Sequence, residues 1–162
     1  MTDTSRLIAH AQAAYARCID ADRLEEWPGF FTEKCFYMVT TADNHRDGLE
    51  AGLIWADTRG MLTDRVTALR EANIYERHSY RHILGQPFLL ADGGDDEDGE
   101  SGGIRSETSF VVVRIMRDGS SDLFASGCYL DRYVREGDGM LLTERVVVCD
   151  SSRIDTLLAL PL

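Results

Sequence analysis

Near its start the chain carries apolar side chains at Leu7, Ile8, Ala11, Tyr15, Cys18 and Ile19. Their spacing of three and four predicts an amphipathic helix over residues 7–19 with one buried stripe. Asp22-Arg23-Leu24-Glu25 has the form of a capping box, so a second short helix is expected through Trp27, closed by Pro28-Gly29. Residues 35–41 are aromatic and β-branched, a strand signature, and Asp43-Asn44-His45-Arg46-Asp47-Gly48 reads as a turn. Leu53-Ile54-Trp55 reads as a short strand. Leu62, Val66 and Leu69 then predict a helix over residues 61–71 with Asn73 as its left-handed cap. The second half holds four candidate strands, 81–90, 107–116, 123–134 and 140–149, separated by Gly and Asp turns. Strands of about 10 residues exceed the usual five or six and suggest a long, curved antiparallel meander. Asp150-Ser151-Ser152 would cap a final turn before the apolar residues 157–162. Helices first and strands afterwards is an α+β pattern, and 162 residues fit a single domain spanning 1–162.

Charge narrows the partners. The net charge of −11 and a pI near 4.7 repel phosphate backbones and anionic lipid surfaces, so neither nucleic acid nor a membrane is an expected partner. Lys34 is the lone Lys beside 16 Arg, a bias that fits buried ion pairs and fits a GC-rich genome equally well. Residues 92–103 hold six acidic residues and five glycines, which predicts a flexible hairpin loop. A calcium loop does not fit there, because Glu97 stands between Asp96 and Asp98 and no helices flank the run. The N-terminus lacks the basic and apolar segments of a signal peptide, and no apolar run approaches a membrane span, so a cytoplasmic chain is expected. Cys18, Cys35, Cys128 and Cys149 are widely spaced in apolar surroundings and read as free, buried thiols.

Candidate chemistry is sparse. His78 and His82 share one helical face in principle, but on a strand their Cα atoms stand roughly 13 Å apart, too far for one metal. Rieske ligation needs cysteines followed at two or three residues by His, and none of the four qualifies. A phosphate-binding glycine loop and a Gly-x-Ser-x-Gly elbow are both missing. An acid–base site in a cone-shaped fold could use Asp43 or Asp57 with His45, His78 or His82, aided by Tyr75 or Tyr80, and no spacing favours one pair. Arg145, between Glu144 and Val146-Val147-Val148, is expected to form an ion pair across the sheet.

The segment Asp22-Arg23-Leu24-Glu25-Glu26-Trp27-Pro28-Gly29-Phe30-Phe31-Thr32 resembles the small (β) subunits of bacterial Rieske-type aromatic-ring-hydroxylating dioxygenases. Cys35-Phe36-Tyr37, Asp43-Asn44-His45, Met61-Leu62-Thr63-Asp64-Arg65-Val66, Tyr75-Glu76-Arg77-His78, Tyr80-Arg81-His82-Ile83-Leu84-Gly85, Phe124-Ala125-Ser126-Gly127 and Cys149-Asp150-Ser151 extend the likeness over nearly the whole chain. The acidic run 92–103 is the departure. The resemblance implies a cone-shaped nuclear-transport-factor-2-like (NTF2-like) or SnoaL-like α+β fold, a curved mixed sheet packed on N-terminal helices. It also implies a non-catalytic subunit with no catalytic, cofactor or metal residues of its own. The Rieske 2Fe-2S cluster and mononuclear Fe(II) would lie on a partner α subunit, commonly in an α3β3 hetero-oligomer, with NADH used by a separate reductase. Trp55, Tyr75, Arg77, His78, Tyr80, Arg81 and His82, with Leu160 and Leu162, are the interface candidates, aromatic, Arg and apolar residues of the kind partners cover. Two other classes stay open: a free-standing isomerase or dehydratase using a His and a carboxylate, and a ligand-binding module. An open polar cone would favour either; a cone filled by Phe, Tyr, Trp and Arg would favour the subunit.

Overall fold

The computed structural model describes residues 3–49, 52–72, 76–91, 102–152 and 160–162. Helix α1 (Asp3–Asp20) buries Ile8, Tyr15, Ala16, Cys18 and Ile19 along the expected stripe, together with the polar Gln12. The capping box does not form: Asp22 adopts a left-handed φ of 57°, Leu24–Phe30 is a 3-10 helix with no side-chain cap, and Pro28 lies inside it. A short Asp accepts that conformation at low cost. The Asp22 carboxylate instead takes two hydrogen bonds from Arg70 (2.9 and 3.1 Å).

Strand β1 (Phe31–Thr41) leads into a short helix α2 (Ala42–Arg46) where a turn was expected. The reason is local: the Thr41 hydroxyl accepts from the Asn44 amide at 3.2 Å, an N-cap. Strand β2 (Ile54–Thr58) and helix α3 (Arg59–Glu71) follow, α3 capped by the Thr58 hydroxyl on the Met61 amide. Asn73, the expected cap of α3, lies outside the described residues. The expected strand 81–90 is two strands, β3 (His78–Leu84) and β4 (Phe88–Leu89), because Gly85-Gln86-Pro87 interrupts the ladder. Strands β5 (Ile104–Met116), β6 (Ser121–Glu136) and β7 (Gly139–Cys149) form the expected meander.

The sheet order is β2-β1-β7-β6-β5-β3, with β4 on β5, and the β1–β7 pair alone is parallel. This is a mixed sheet, with α1 packed across β3 and β7. The acidic run enters β5 through Gly103, which is buried; a Cβ there would sit 2.7 Å from Arg132 Cγ, so this end of the run is tightly packed. Residues 92–101 of the run, and the turn expected after Ser152, lie outside the described residues.

A bulge sets the polarity of the interior. On β7, Met140 and Leu142 face the helices, and strict alternation would turn Glu144 inward and Arg145 out. The register instead slips by one residue: Tyr133 pairs with Leu142 and Arg132 with Glu144, leaving Thr143 extra. Re-aiming a side chain is a common consequence of a bulge. Arg145, Val147 and Cys149 are therefore buried against the helices.

Candidate functional site

The bulge brings a charge into the cone. Arg145 and Asp131 are lateral neighbours on β7 and β6, and neither side chain exposes any surface. Arg145 donates through Nε and Nη2 to the two Asp131 oxygens at 2.8 and 2.7 Å, a fork-to-fork pair. Asp131 Oδ2 also accepts from Gln12 Nε2 at 3.1 Å and from the Tyr133 hydroxyl at 3.1 Å, while Gln12 Nε2 reaches Thr108 at 2.9 Å. The guanidinium is sandwiched between Tyr15 and Tyr129, 4.1 and 4.0 Å from their ring centroids. The ion pair expected at Arg145 is present, in the core. Burial opposes the Arg145 charge, but Asp131 and the surrounding phenols outweigh it and hold the cation above its ordinary range.

Around this pair the described side chains pack ring on ring. Trp27 meets Phe31 and Tyr37 edge-on at 5.9 and 5.2 Å, Tyr15 meets Phe30 and Phe31, and Phe110 stacks on Tyr129 at 4.5 Å. Desolvation pushes the phenols of Tyr37, Tyr129 and Tyr133 well up, so they stay protonated at neutral pH; the hydroxyls of Tyr37 and Tyr133 donate hydrogen bonds, whereas that of Tyr129 is enclosed without a partner. It also pushes the Cys149 thiol up to about 12 and those of Cys18 and Cys128 to about 11, away from nucleophilic reactivity. All four cysteines are free.

His82 does meet a carboxylate, although neither Asp43 nor Asp57. Asp20, the last residue of α1, accepts from His82 Nδ1 at 2.6 Å through one oxygen and from the His82 amide at 3.0 Å through the other. His82 Nε2 is enclosed and has no hydrogen-bond partner. His78 Nδ1 instead contacts the Glu76 carbonyl at 2.8 Å. Asp43 pairs with Arg46 on the surface. Among the described residues, no three His, Cys, Asp or Glu side chains come together as a metal site.

Strand alternation divides the interface candidates. Tyr80 and His82 point into the cone, Tyr80 stacked on Phe124 at 5.1 Å, and His78 is half-buried beside Tyr80. Arg77 and Arg81 are exposed, and Trp55 is 50 % exposed on β2, against the edge of Phe36. Leu160 and Leu162 are buried in the chain's own core. Tyr75 lies outside the described residues. Sequence reasoning missed Asp131 and Asp20. The available signal for Asp131 was its place between two inward aromatics, Tyr129 and Tyr133, on a strand next to one bearing Arg145. The outer face carries a shallow cleft of about 550 Å³ bordered by Lys34, Phe36, Asp57, Arg132 and Glu144. No helix among the described residues is long and apolar enough to cross a membrane.

Comparison with known proteins agrees with this geometry. Residues 14–156 match the family model described as ring hydroxylating beta subunit. The chain is 52 % identical over 155 residues to the beta 2 subunit of the terminal oxygenase component of terephthalate 1,2-dioxygenase from Comamonas sp, covering 96 % of each. It is 40 % identical to the anthranilate 1,2-dioxygenase small subunit of Burkholderia cepacia, covering 93 % of this chain and 89 % of that one. The crystal structure of a β subunit assigned to an aromatic-ring-hydroxylating dioxygenase of Novosphingobium aromaticivorans superposes with a TM-score of 0.84 at 36 % identity, covering 98 % and 97 %. A protein assigned as a scytalone dehydratase from the same organism shares the fold at a TM-score of 0.64 and 16 % identity, covering 93 % and 89 %, which identifies the architecture as the NTF2-like cone. Likeness of this extent across nearly the whole of both chains means common ancestry, and the chain belongs to the ring-hydroxylating β-subunit family, as the small subunit of a ring-hydroxylating dioxygenase.

Proposed function

We propose that this chain is the supporting subunit of an α/β hetero-oligomer, commonly three of each, that dihydroxylates terephthalate or a similar aromatic carboxylate in the cytoplasm. The reading places the Rieske 2Fe-2S cluster and mononuclear Fe(II) on the α subunit, fed with electrons from NADH through a separate reductase. The observation that carries it is the committed carboxylate of the interior: Asp131 takes hydrogen bonds from Arg145, Gln12 and Tyr133, and the Arg145 guanidinium lies between two rings, as a scaffold requires and a catalytic base does not. Identity to the terephthalate enzyme's β subunit supports the ring substrate. Trp55, Arg77 and Arg81, exposed aromatic and Arg side chains of the type enriched in interfaces, are the docking residues in this reading.

Co-expression with a large (α) subunit of a ring-hydroxylating dioxygenase tests the proposal. The expected result is a stable complex in which terephthalate-dependent NADH oxidation, with reductase added, needs both chains. A large subunit that is fully active alone, or a chain that never copurifies with it, overturns the reading.

A further inference from the structure

Part of the cone is filled by the chain's own residues 160–162. Leu160 is 4 % exposed and Leu162 not at all. Leu162 is held through its main chain as well as its side chain. Its main-chain oxygen accepts from the Tyr15 hydroxyl at 2.8 Å and lies 3.2 Å from the Tyr37 hydroxyl, which also accepts from the Leu162 amide at 3.2 Å. The two tyrosines come from α1 and β1, more than 100 residues away in sequence. Arg145 lies on the Tyr15 ring, and its Nη1 is buried with no hydrogen-bond partner. Two protonated phenols converging on one oxygen, a cation behind one of them and the rings of Trp27 and Phe31 packed edge-on against those phenols form a built recognition site for a carbonyl or carboxylate group on an apolar body.

We propose that the cone retains a binding site for a small branched apolar molecule bearing an amide carbonyl or carboxylate, and that residues 160–162 occupy it as a ligand in cis. The segment belongs to the same chain, so a free ligand must compete with an intramolecular one. The site is silent in the intact chain. This inference is independent of the subunit reading, because its readout is binding to the chain alone.

The test uses a variant lacking Leu160, Pro161 and Leu162, with N-acetyl-L-leucine as the probe. Removing two buried leucines lowers the melting temperature by about 10 °C or more. Saturating probe is expected to restore several degrees and to bind by calorimetry, with no effect on the intact chain. Tyr15→Phe with Tyr37→Phe in the shortened variant should abolish the response. A shortened variant that ignores the probe, or one that responds equally with both hydroxyls removed, overturns the proposal; the latter is an apolar cavity only. If the shortened variant does not fold, hydrogen exchange decides the matter in the full chain. Tyr15→Phe/Tyr37→Phe should speed exchange at the Leu162 amide at least tenfold, and unchanged exchange overturns the clasp.

Discussion

Replacing Arg145 by Met keeps the volume of the core but strands a carboxylate in it. Asp131 has no exposed side-chain surface, and Gln12 and Tyr133 supply it only neutral donors. Breaking a buried ion pair on one side costs about 3–5 kcal/mol. Losing the cation from between Tyr15 and Tyr129 adds roughly 1–2 kcal/mol. Against a total stability of about 5–15 kcal/mol, Arg145→Met alone brings the chain near unfolding. Asp131→Leu strands the guanidinium at a similar cost and also leaves the Tyr133 hydroxyl without its acceptor, roughly 1–3 kcal/mol more. The double variant contains neither charge. Only the aromatic contacts and the Tyr133 hydroxyl are then lost, roughly 2–5 kcal/mol, so it should be more stable than either single variant. Urea denaturation followed by far-ultraviolet circular dichroism and Trp fluorescence measures this, with an unchanged m value as the check on two-state behaviour. A double variant whose loss equals the sum of the two single losses would refute the account, since the two side chains would then not act as a pair.

Three further outcomes follow from the packing. Gly127→Ala should cost at least about 3 kcal/mol or abolish soluble expression, because its Cβ would meet the Val148 carbonyl oxygen at 2.0 Å and backbone cannot step aside; a melting temperature within a few degrees of the parent refutes this. Burial lifts Cys149 to about 12 and Cys18 to about 11, above the ordinary thiol value of 9.0, so the unfolded chain ionises first and stability falls as pH rises above 9, by up to about 1.4 kcal/mol per pH unit for each thiol. Equal urea midpoints at pH 8 and pH 10 would contradict that. Asp20→Asn or His82→Phe should lower the melting temperature through lost α1–β3 contacts while leaving turnover per assembled complex unchanged; a tenfold loss of turnover in folded complexes would make the pair catalytic.

The outer shell of the fold was legible because it follows period. The stripe of α1 and the meander β5-β6-β7 each bury a set of residues that sequence spacing alone picks out. The interior polar groups were not. Gln12 sits on the apolar stripe of α1 as a polar residue, and its role appears only when Thr108 and Asp131 arrive from strands 96 and 119 residues away. Arg145 reads as outward by alternation from Met140 and Leu142, and the bulge at Thr143 reverses it. The partner of His82 lies 62 residues earlier at the end of a helix, a tertiary fact that local spacing does not contain. The corner at Asp22 failed for a different reason: the capping-box pattern was present, but Arg70 from α3 captures the carboxylate that the cap would have used.

The interior also separates scaffold from enzyme within one architecture. One lateral row across the sheet, Tyr37 on β1, Arg145 on β7, Asp131 on β6 and Ser106 on β5, carries a phenol, a cation, a carboxylate and a hydroxyl. A catalytic cone needs the same groups, so their presence decides nothing. What decides is how they are engaged. The Asp131 carboxylate accepts four hydrogen bonds from three residues, Arg145 gives two of them and lies between two rings, and Tyr37 is committed to Leu162. A carboxylate held this way cannot move a proton without breaking a paired, dry charge, at a cost of several kcal/mol. Pairing turns groups able to catalyse into rigid packing, and rigid packing fixes the strands that carry Trp55 and Arg81 to the surface, the side chains that the proposed docking would use.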